Sequence, residues 1–344
     1  MPTLASHSYV FDPRPNFPLL LTAKRNWDPS SPHAHDPTAL TLIFCHGTSF
    51  HKETYEPALD DFYTLLDDET HGPRPKIREA WAIDCPNHGD AALLNEATLR
   101  WGYEPVFPWQ EYARGIHAFL AGLGTGVDVD FSTRKLIFIG HSFAATALVL
   151  ALTYQPPLKP EQLILLETMC ARPDRIVGLT KSLSDGSQNR RDIWPSRAAA
   201  YESFKARQPW KGWDDRILRK YVEHALTPLP SLEHPDKEGV TLKCTRRQET
   251  AVYRDWHGSC AVWRTIGHIV ERVPTHIIYG AVPNYLPLEV QNEFIQDAIG
   301  GEQNLASLTR IPGAGHLAAQ THPREFAQII FNILGGSKSP QARL

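Results

Sequence analysis

The 344-residue sequence is short of several things, and each shortage removes a class of protein. Its five cysteines, at 45, 85, 170, 244 and 260, are scattered and odd in number. That spacing fits neither a disulfide framework nor a zinc site, and it suits a reducing compartment. No run of one charge is present, and the net charge of −3 gives bulk electrostatics no hold on nucleic acid. The longest apolar stretch, 144–152, falls far below the roughly 20 residues that span a bilayer. The N-terminus, Met-Pro-Thr-Leu-Ala-Ser-His-Ser, lacks a basic region followed by an apolar one, so no secretory signal and an intracellular, soluble protein are expected. Internal repeats and low-complexity runs are missing as well.

What is present is a hydrophobic content of 42%, enough for a sizeable core. Its centre is Lys135-Leu-Ile-Phe-Ile-Gly-His-Ser-Phe-Ala-Ala-Thr-Ala-Leu-Val-Leu150. Leu136 to Ile139 reads as a buried parallel strand, and from Phe143 small and aliphatic residues continue as a helix. Between them Gly140-His-Ser142-Phe-Ala144 has the form of a nucleophile elbow. So sharp a turn crowds positions 140 and 144, which must be small, and lifts the Ser142 hydroxyl above the edge of the sheet.

Further strands are expected at 8–12, 17–26, 40–45, 77–83, 162–166 and 274–280, a last strand with its loop over 305–316, and helices at 109–123, 286–299 and 323–334. The strand 40–45 runs into His46-Gly-Thr48, where a backbone N–H from Thr48 is placed to help bind an oxyanion. His46 reads as structural. Asp84 and His88 have the look of a metal or acid–base pair, but no third ligand has sensible spacing, so they read as turn-stabilising hydrogen-bonders. His316 lies on a Gly-Ala-Gly loop after the last strand, from which an imidazole can reach the elbow. His322, at a helix start, reads as a cap.

From 171 to 265 the strand–helix rhythm stops. This stretch is rich in Trp and Tyr and holds 18 Lys and Arg against 12 Asp and Glu, while the remainder holds 17 against 26. A basic, aromatic helical segment on an acidic body reads as a lid, able to hold an apolar acyl group and to attract an anion. The expected division is a body of 1–170 and 266–336, a lid of 171–265, and a polar tail of 337–344.

From the His46-Gly47 loop through the Ser142 elbow to the Gly315-His316 loop, the chain resembles the α/β-hydrolase superfamily. That implies an α/β fold with a mostly parallel eight-stranded sheet and a helical lid insertion. It also implies a serine hydrolase with chain order nucleophile, acid, base. The acid in most members follows the seventh strand, but here that strand ends Tyr279-Gly-Ala-Val-Pro-Asn284-Tyr, without a carboxylate. Asn284 could orient a histidine but not stabilise an imidazolium. Glu167, ending the sixth strand, is therefore the expected acid, with Ser142 as nucleophile, His316 as base, and the N–H groups of Thr48 and Phe143 as the oxyanion donors. A serine at the elbow argues against epoxide or haloalkane hydrolysis, which needs a carboxylate nucleophile. No metal or organic cofactor is implied.

The displaced acid, the aromatic segment and the C-terminal Ala342-Arg-Leu344 together resemble a narrower group, fungal hydrolases of toxin and polyketide pathways, peroxisomal acyl-CoA hydrolases among them. That group carries Asp where this chain has Glu167. What the resemblance implies is hydrolysis of the CoA thioester of a specialised metabolite. The small–basic–Leu ending has the form of a peroxisomal address, so an import receptor is an expected partner and the cytoplasm the alternative location. A carboxylesterase or lactonase would use the same residues, and a non-catalytic binding protein of the same fold is the reading from a different class.

Overall fold

The apolar runs form the middle of one sheet in a computed structural model that describes residues 3–68, 70 and 74–336. The tail tripeptide Ala342–Leu344 lies outside the described residues. The strands are β1 (Ala5–Phe11), β2 (Leu21–Trp27), β3 (Leu40–Cys45), β4 (Ile77–Ile83), β5 (Lys135–His141), β6 (Gln162–Leu166), β7 (Thr275–Gly280) and β8 (Ser307–Ile311). Their spatial order is β1-β2-β4-β3-β5-β6-β7-β8. The pairs β1–β2 and β2–β4 are antiparallel and every other pair is parallel. β1 begins before the expected residue 8 because it is an edge strand whose Ser6, His7 and Ser8 are exposed, which hides it from an apolar pattern.

Alternation along the central strands sorts their side chains into two cores. Ile43, Cys45, Leu136 and Phe138 face one side, and Leu42, Phe44, Ile137 and Ile139 the other. Burial of each such aliphatic chain contributes about 1.5–3 kcal/mol. The helices are α1 (Glu56–Asp67), α2 (Gly89–Gly102), α3 (Trp109–Leu120), α4 (Phe143–Ala151), α5 (Pro173–Gln188), α6 (Arg197–Lys205), α7 (Asp215–His224), α8 (Arg246–Arg254), α9 (His257–Val270), α10 (Leu288–Glu293), α11 (Ala318–Thr321) and α12 (Pro323–Leu334). α3, α4 and α9 cover the first face, while α1 and α12 cover the second. α4 is buried all round, which is why its sequence shows no polar stripe. The helix expected over 286–299 is α10 followed by a π-helical turn, Phe294–Ala298. Among the described residues, no helix is long and apolar enough to cross a membrane.

Residues 171–265 contain α5 to α8 and an antiparallel ribbon of three short strands, Ile193–Trp194, Leu226–Pro228 and Val240–Leu242. They build a third apolar cluster around Trp194, Phe204, Trp213 and Tyr221, which Phe50 of the body joins. α9 crosses the expected 265/266 boundary, and its Val262 and Ile266 are packed into the body core.

Candidate active site

Ser142 sits between β5 and α4 at φ 58° and ψ −125°, a conformation that a non-glycine residue adopts only when its surroundings hold it there. Its N–H is bonded to the Leu166 carbonyl of β6 at 2.9 Å. The crowding read from the sequence is real at Gly140, where a Cβ would lie 2.8 Å from Ala145 Cα and 2.9 Å from its nitrogen. Ser142, Glu167 and His316 are all buried, at 6%, 2% and 5% exposure, so their mutual interactions are little screened by water.

Glu167 also has a left-handed backbone, φ 50°, directly after β6. Its N–H donates to the Ile278 carbonyl at 2.8 Å, and its Oε1 accepts the Gly280 N–H at 2.5 Å. The carboxylate thus closes the end of β7, the strand whose own following loop has no acid. Its other oxygen, Oε2, is 3.0 Å from His316 Nδ1, and His316 Nε2 is 3.0 Å from Ser142 Oγ. One imidazole therefore touches the hydroxyl on one side and the carboxylate on the other. Two carboxylates further along the chain are engaged elsewhere: Glu293 pairs with Arg175 at 2.7 Å, and Asp255 accepts from the Trp109 N–H at 2.8 Å.

His316 is held by its backbone as well. Its N–H donates to Asn284 Oδ1 at 2.9 Å, so Asn284 fixes the loop rather than the ring. The Tyr285 ring stacks on the imidazole, with centroids 5.0 Å apart and planes 16° apart. The His316 carbonyl accepts from His141 Nε2 at 2.9 Å. Sequence reasoning passed over His141 as a variable elbow position. Burial, and next the His316 charge, push its imidazole down to about 3, so it stays neutral with the proton on Nε2. No local signal marks that role, because its partner is 175 residues away.

The loop after β3 approaches the elbow closely. A Cβ on Gly47 would lie 2.9 Å from His141 Nδ1 and 3.2 Å from Ser142 Cβ, which explains glycine there. Among the described residues, neither the Thr48 nor the Phe143 amide has a hydrogen-bond acceptor. Phe143 is the first residue of α4, where N–H groups have no intrahelical partner. Behind this loop lies the structural set read from the sequence. His46 Nε2 accepts from the Cys85 N–H at 3.1 Å and His88 Nε2 from the Ser49 N–H at 2.9 Å. Asp84 accepts from Lys52 N at 2.7 Å and Lys52 Nζ at 2.9 Å. Burial alone would raise the Asp84 carboxyl, but the Lys52 charge and His46 overcome it and hold it well below the usual range. His322 begins α12 but makes no side-chain cap; its Nδ1 meets Thr321 Oγ1 at 2.8 Å.

A cavity of about 260 Å³ opens above Ser142 and His316. Leu183, Trp210, Trp213, Tyr221 and Tyr253 line it from residues 171–265, and Phe50, Met169 and Tyr285 from the body. The anion attraction expected from the basic segment does not reach this interior. Arg190 is the cation among the described lining residues, and its Nη1 lies 2.6 and 2.8 Å from the two Glu249 oxygens. The excess positive charge sits on exposed faces.

Comparison with known proteins agrees with this architecture. The alpha/beta hydrolase family matches residues 42–329. No curated protein matches the sequence. Among solved structures, the peroxisomal α/β-hydrolase Lpx1 of Saccharomyces cerevisiae superposes with a TM-score of 0.70 at 20% identity, covering 99% of this chain and 93% of its own. An esterase of M. tuberculosis gives 0.61 at 17% identity over 91% of this chain and 88% of its own. The thioesterase domain of the curacin biosynthetic pathway gives 0.62 at 13% identity over 95% and 99%. With its sheet order, its elbow and a family match over most of its length, the chain belongs to the alpha/beta hydrolase family.

Proposed function

We propose that the protein is a serine hydrolase that cleaves an ester or thioester through an acyl-enzyme. The observation that carries this reading is the double contact of His316, 3.0 Å from Ser142 Oγ and 3.0 Å from Glu167. In this mechanism Ser142 Oγ attacks the acyl carbonyl carbon while His316 Nε2 takes its proton. The Thr48 and Phe143 N–H groups receive the developing oxyanion. Collapse of the tetrahedral intermediate expels the alcohol or thiol, which regains the proton from His316. Water, deprotonated by the same nitrogen, then attacks the acyl-enzyme and frees the acid. Glu167 holds the imidazole with its proton on Nδ1 and balances the imidazolium charge. His141 and Asn284 hold the His316 backbone in place.

The finer reading is an acyl-CoA hydrolase of specialised metabolism. An aromatic cavity in which Arg190, the cation among the described lining residues, is already paired suits a neutral, apolar acyl group. The phosphates of a CoA leaving group would then lie outside it, against the basic outer surface of residues 171–265, which acts as the lid. The same paired cation favours a plain carboxylesterase as the second reading, since nothing in the cavity asks for a charged leaving group. Peroxisomal import through Ala342-Arg343-Leu344 fits the resemblance to the peroxisomal α/β-hydrolase Lpx1.

A fluorophosphonate probe is expected to add one adduct to Ser142, located by mass spectrometry. Turnover of a panel of acyl-CoAs and simple esters then separates thioesterase from esterase. Failure to label and to turn over any panel member would sink the hydrolase reading and leave a binding protein. Deleting residues 342–344 is expected to move the protein from peroxisomes to the cytosol with unchanged activity in vitro; unaltered punctate fluorescence would show that the ending is accidental.

A further inference from the structure

Ser49 follows Thr48 on the loop after β3, and its backbone lies at φ 76°. That left-handed conformation costs a non-glycine residue free energy and persists only where neighbours over-determine it. From the body, His88 Nε2 accepts the Ser49 N–H at 2.9 Å, and His88 is itself fixed by Asn87 Oδ1 at 2.7 Å. From the other side, the Ser49 hydroxyl donates to Glu249 Oε1 on α8, in residues 171–265. Glu249 is 4% exposed and takes two hydrogen bonds from Arg190, whose Nη2 donates in turn to the Tyr221 hydroxyl at 3.2 Å. The guanidinium is thereby committed to the wall of the cavity.

This chain of contacts ends one residue from an N–H that the mechanism needs. We propose that Glu249, held by Arg190, is a positioning residue: it clamps Ser49 in its strained conformation and so keeps the Thr48 N–H aimed at the oxyanion. The inference rests on the reading of Ser142 as nucleophile. A charge-assisted acceptor is suited to the task, because it is stronger than a neutral one and directional. An oxyanion donor acts only if it is already in place when charge develops, so holding it still has catalytic value. The clamp also ties catalysis to the docking of residues 171–265: the donor is aligned only when α8 and the Arg190 segment are seated on the body.

Ser49→Ala tests this without touching the buried ion pair. Its kcat on the best panel substrate is expected to fall by about tenfold or more, with KM within about twofold of the wild type. Removing the pair together, as Arg190→Met with Glu249→Leu, avoids leaving an orphaned buried charge. This double variant is expected to match the kcat loss of Ser49→Ala, and adding Ser49→Ala to it is expected to cost nothing more, since coupled groups are non-additive. A Ser49→Ala enzyme with wild-type kcat would overturn the clamp, whether KM is unchanged or raised; a raised KM would make Ser49 a substrate contact instead. Activity that survives Ser142→Ala would overturn the reading of Ser142 as nucleophile, and the clamp with it.

Discussion

The groups that meet at His316 come from the rim of the sheet, whereas much of the cavity wall above them comes from residues 171–265. The two regions hold their side chains by different means. At the rim, Ser142, Glu167 and His316 are each bonded through the backbone to a neighbouring strand end or loop, so their separations follow from the sheet. In the upper segment the aromatics are held largely by packing on one another: the Phe204 ring centroid lies 4.9 Å from that of Trp194 and 5.0 Å from that of the lining Trp210, and those of Trp213 and Tyr221 lie 5.3 Å apart. Contacts of that kind adapt when one ring changes. Under the proposed function, this difference gives the chemistry to the body and selection of the acyl group to the segment, with Ser49–Glu249 as the proposed joint between them.

Substitution at the rim is expected to have the largest effects. Ser142→Ala should lower kcat by about 10⁴-fold or more, because no other group can form the acyl-enzyme. Its melting temperature should stay close to that of the wild type, since truncating a small hydroxyl at a cavity edge opens no core void. Retained turnover in the purified variant would remove Ser142 from the mechanism. Glu167→Gln is expected to cost about 10³- to 10⁴-fold in kcat through loss of tautomer control and of the charge partner. Glu167→Asp should keep part of the activity, and Asn284→Ala should lose far less than Glu167→Gln, because Asn284 grips only the His316 backbone. A reversed order for Glu167→Gln and Asn284→Ala in steady-state kinetics would break the assignment of the acid.

Substitution of a lining aromatic of the upper segment, away from the Ser49–Glu249 contact, should change selection rather than rate. Trp210→Ala enlarges the cavity, and it is expected to shift kcat/KM between long and short acyl groups by about tenfold or more, a typical span for adding or losing apolar contacts in a pocket. Its kcat on an acetyl ester should hardly move. If kcat on the acetyl ester collapses instead, the two regions are not separable in this way.

Acid sharpens the comparison least, through the body's own histidines. Folding holds His141 at about 3 and His276 at about 4, both chiefly by burial, and pushes His88 well below its ordinary value. The ordinary value is near 6.5, so below it the unfolded chain binds protons that the folded one refuses. Stability therefore falls as pH drops from about 6.5 towards 4, by up to about 1.4 kcal/mol per pH unit for each such group. Melting temperature measured across that range should decline, and His141→Gln should flatten part of the slope. A profile unaffected by that substitution would show that His141 does not carry the acid sensitivity.

Local pattern brought out the elbow, the loop after β3 and the loop bearing His316, and the family resemblance, with no carboxylate in the β7 loop, pointed to Glu167 directly after β6. These are legible because a parallel strand, a tight turn and a buried helix each write themselves into a few consecutive residues. The edge strand β1 is less legible, since a strand half in water keeps its polar residues. Local pattern could not show that His141 grips the His316 carbonyl or that Glu249 cancels Arg190 inside a segment of net positive charge. Nor could it show that Ser49 is strained and clamped. Each of these joins residues between 59 and 200 positions apart. A hydrogen bond or ion pair across that distance leaves no period in the sequence: it depends on which chain ends the sheet order brings side by side, and only the packed structure decides that.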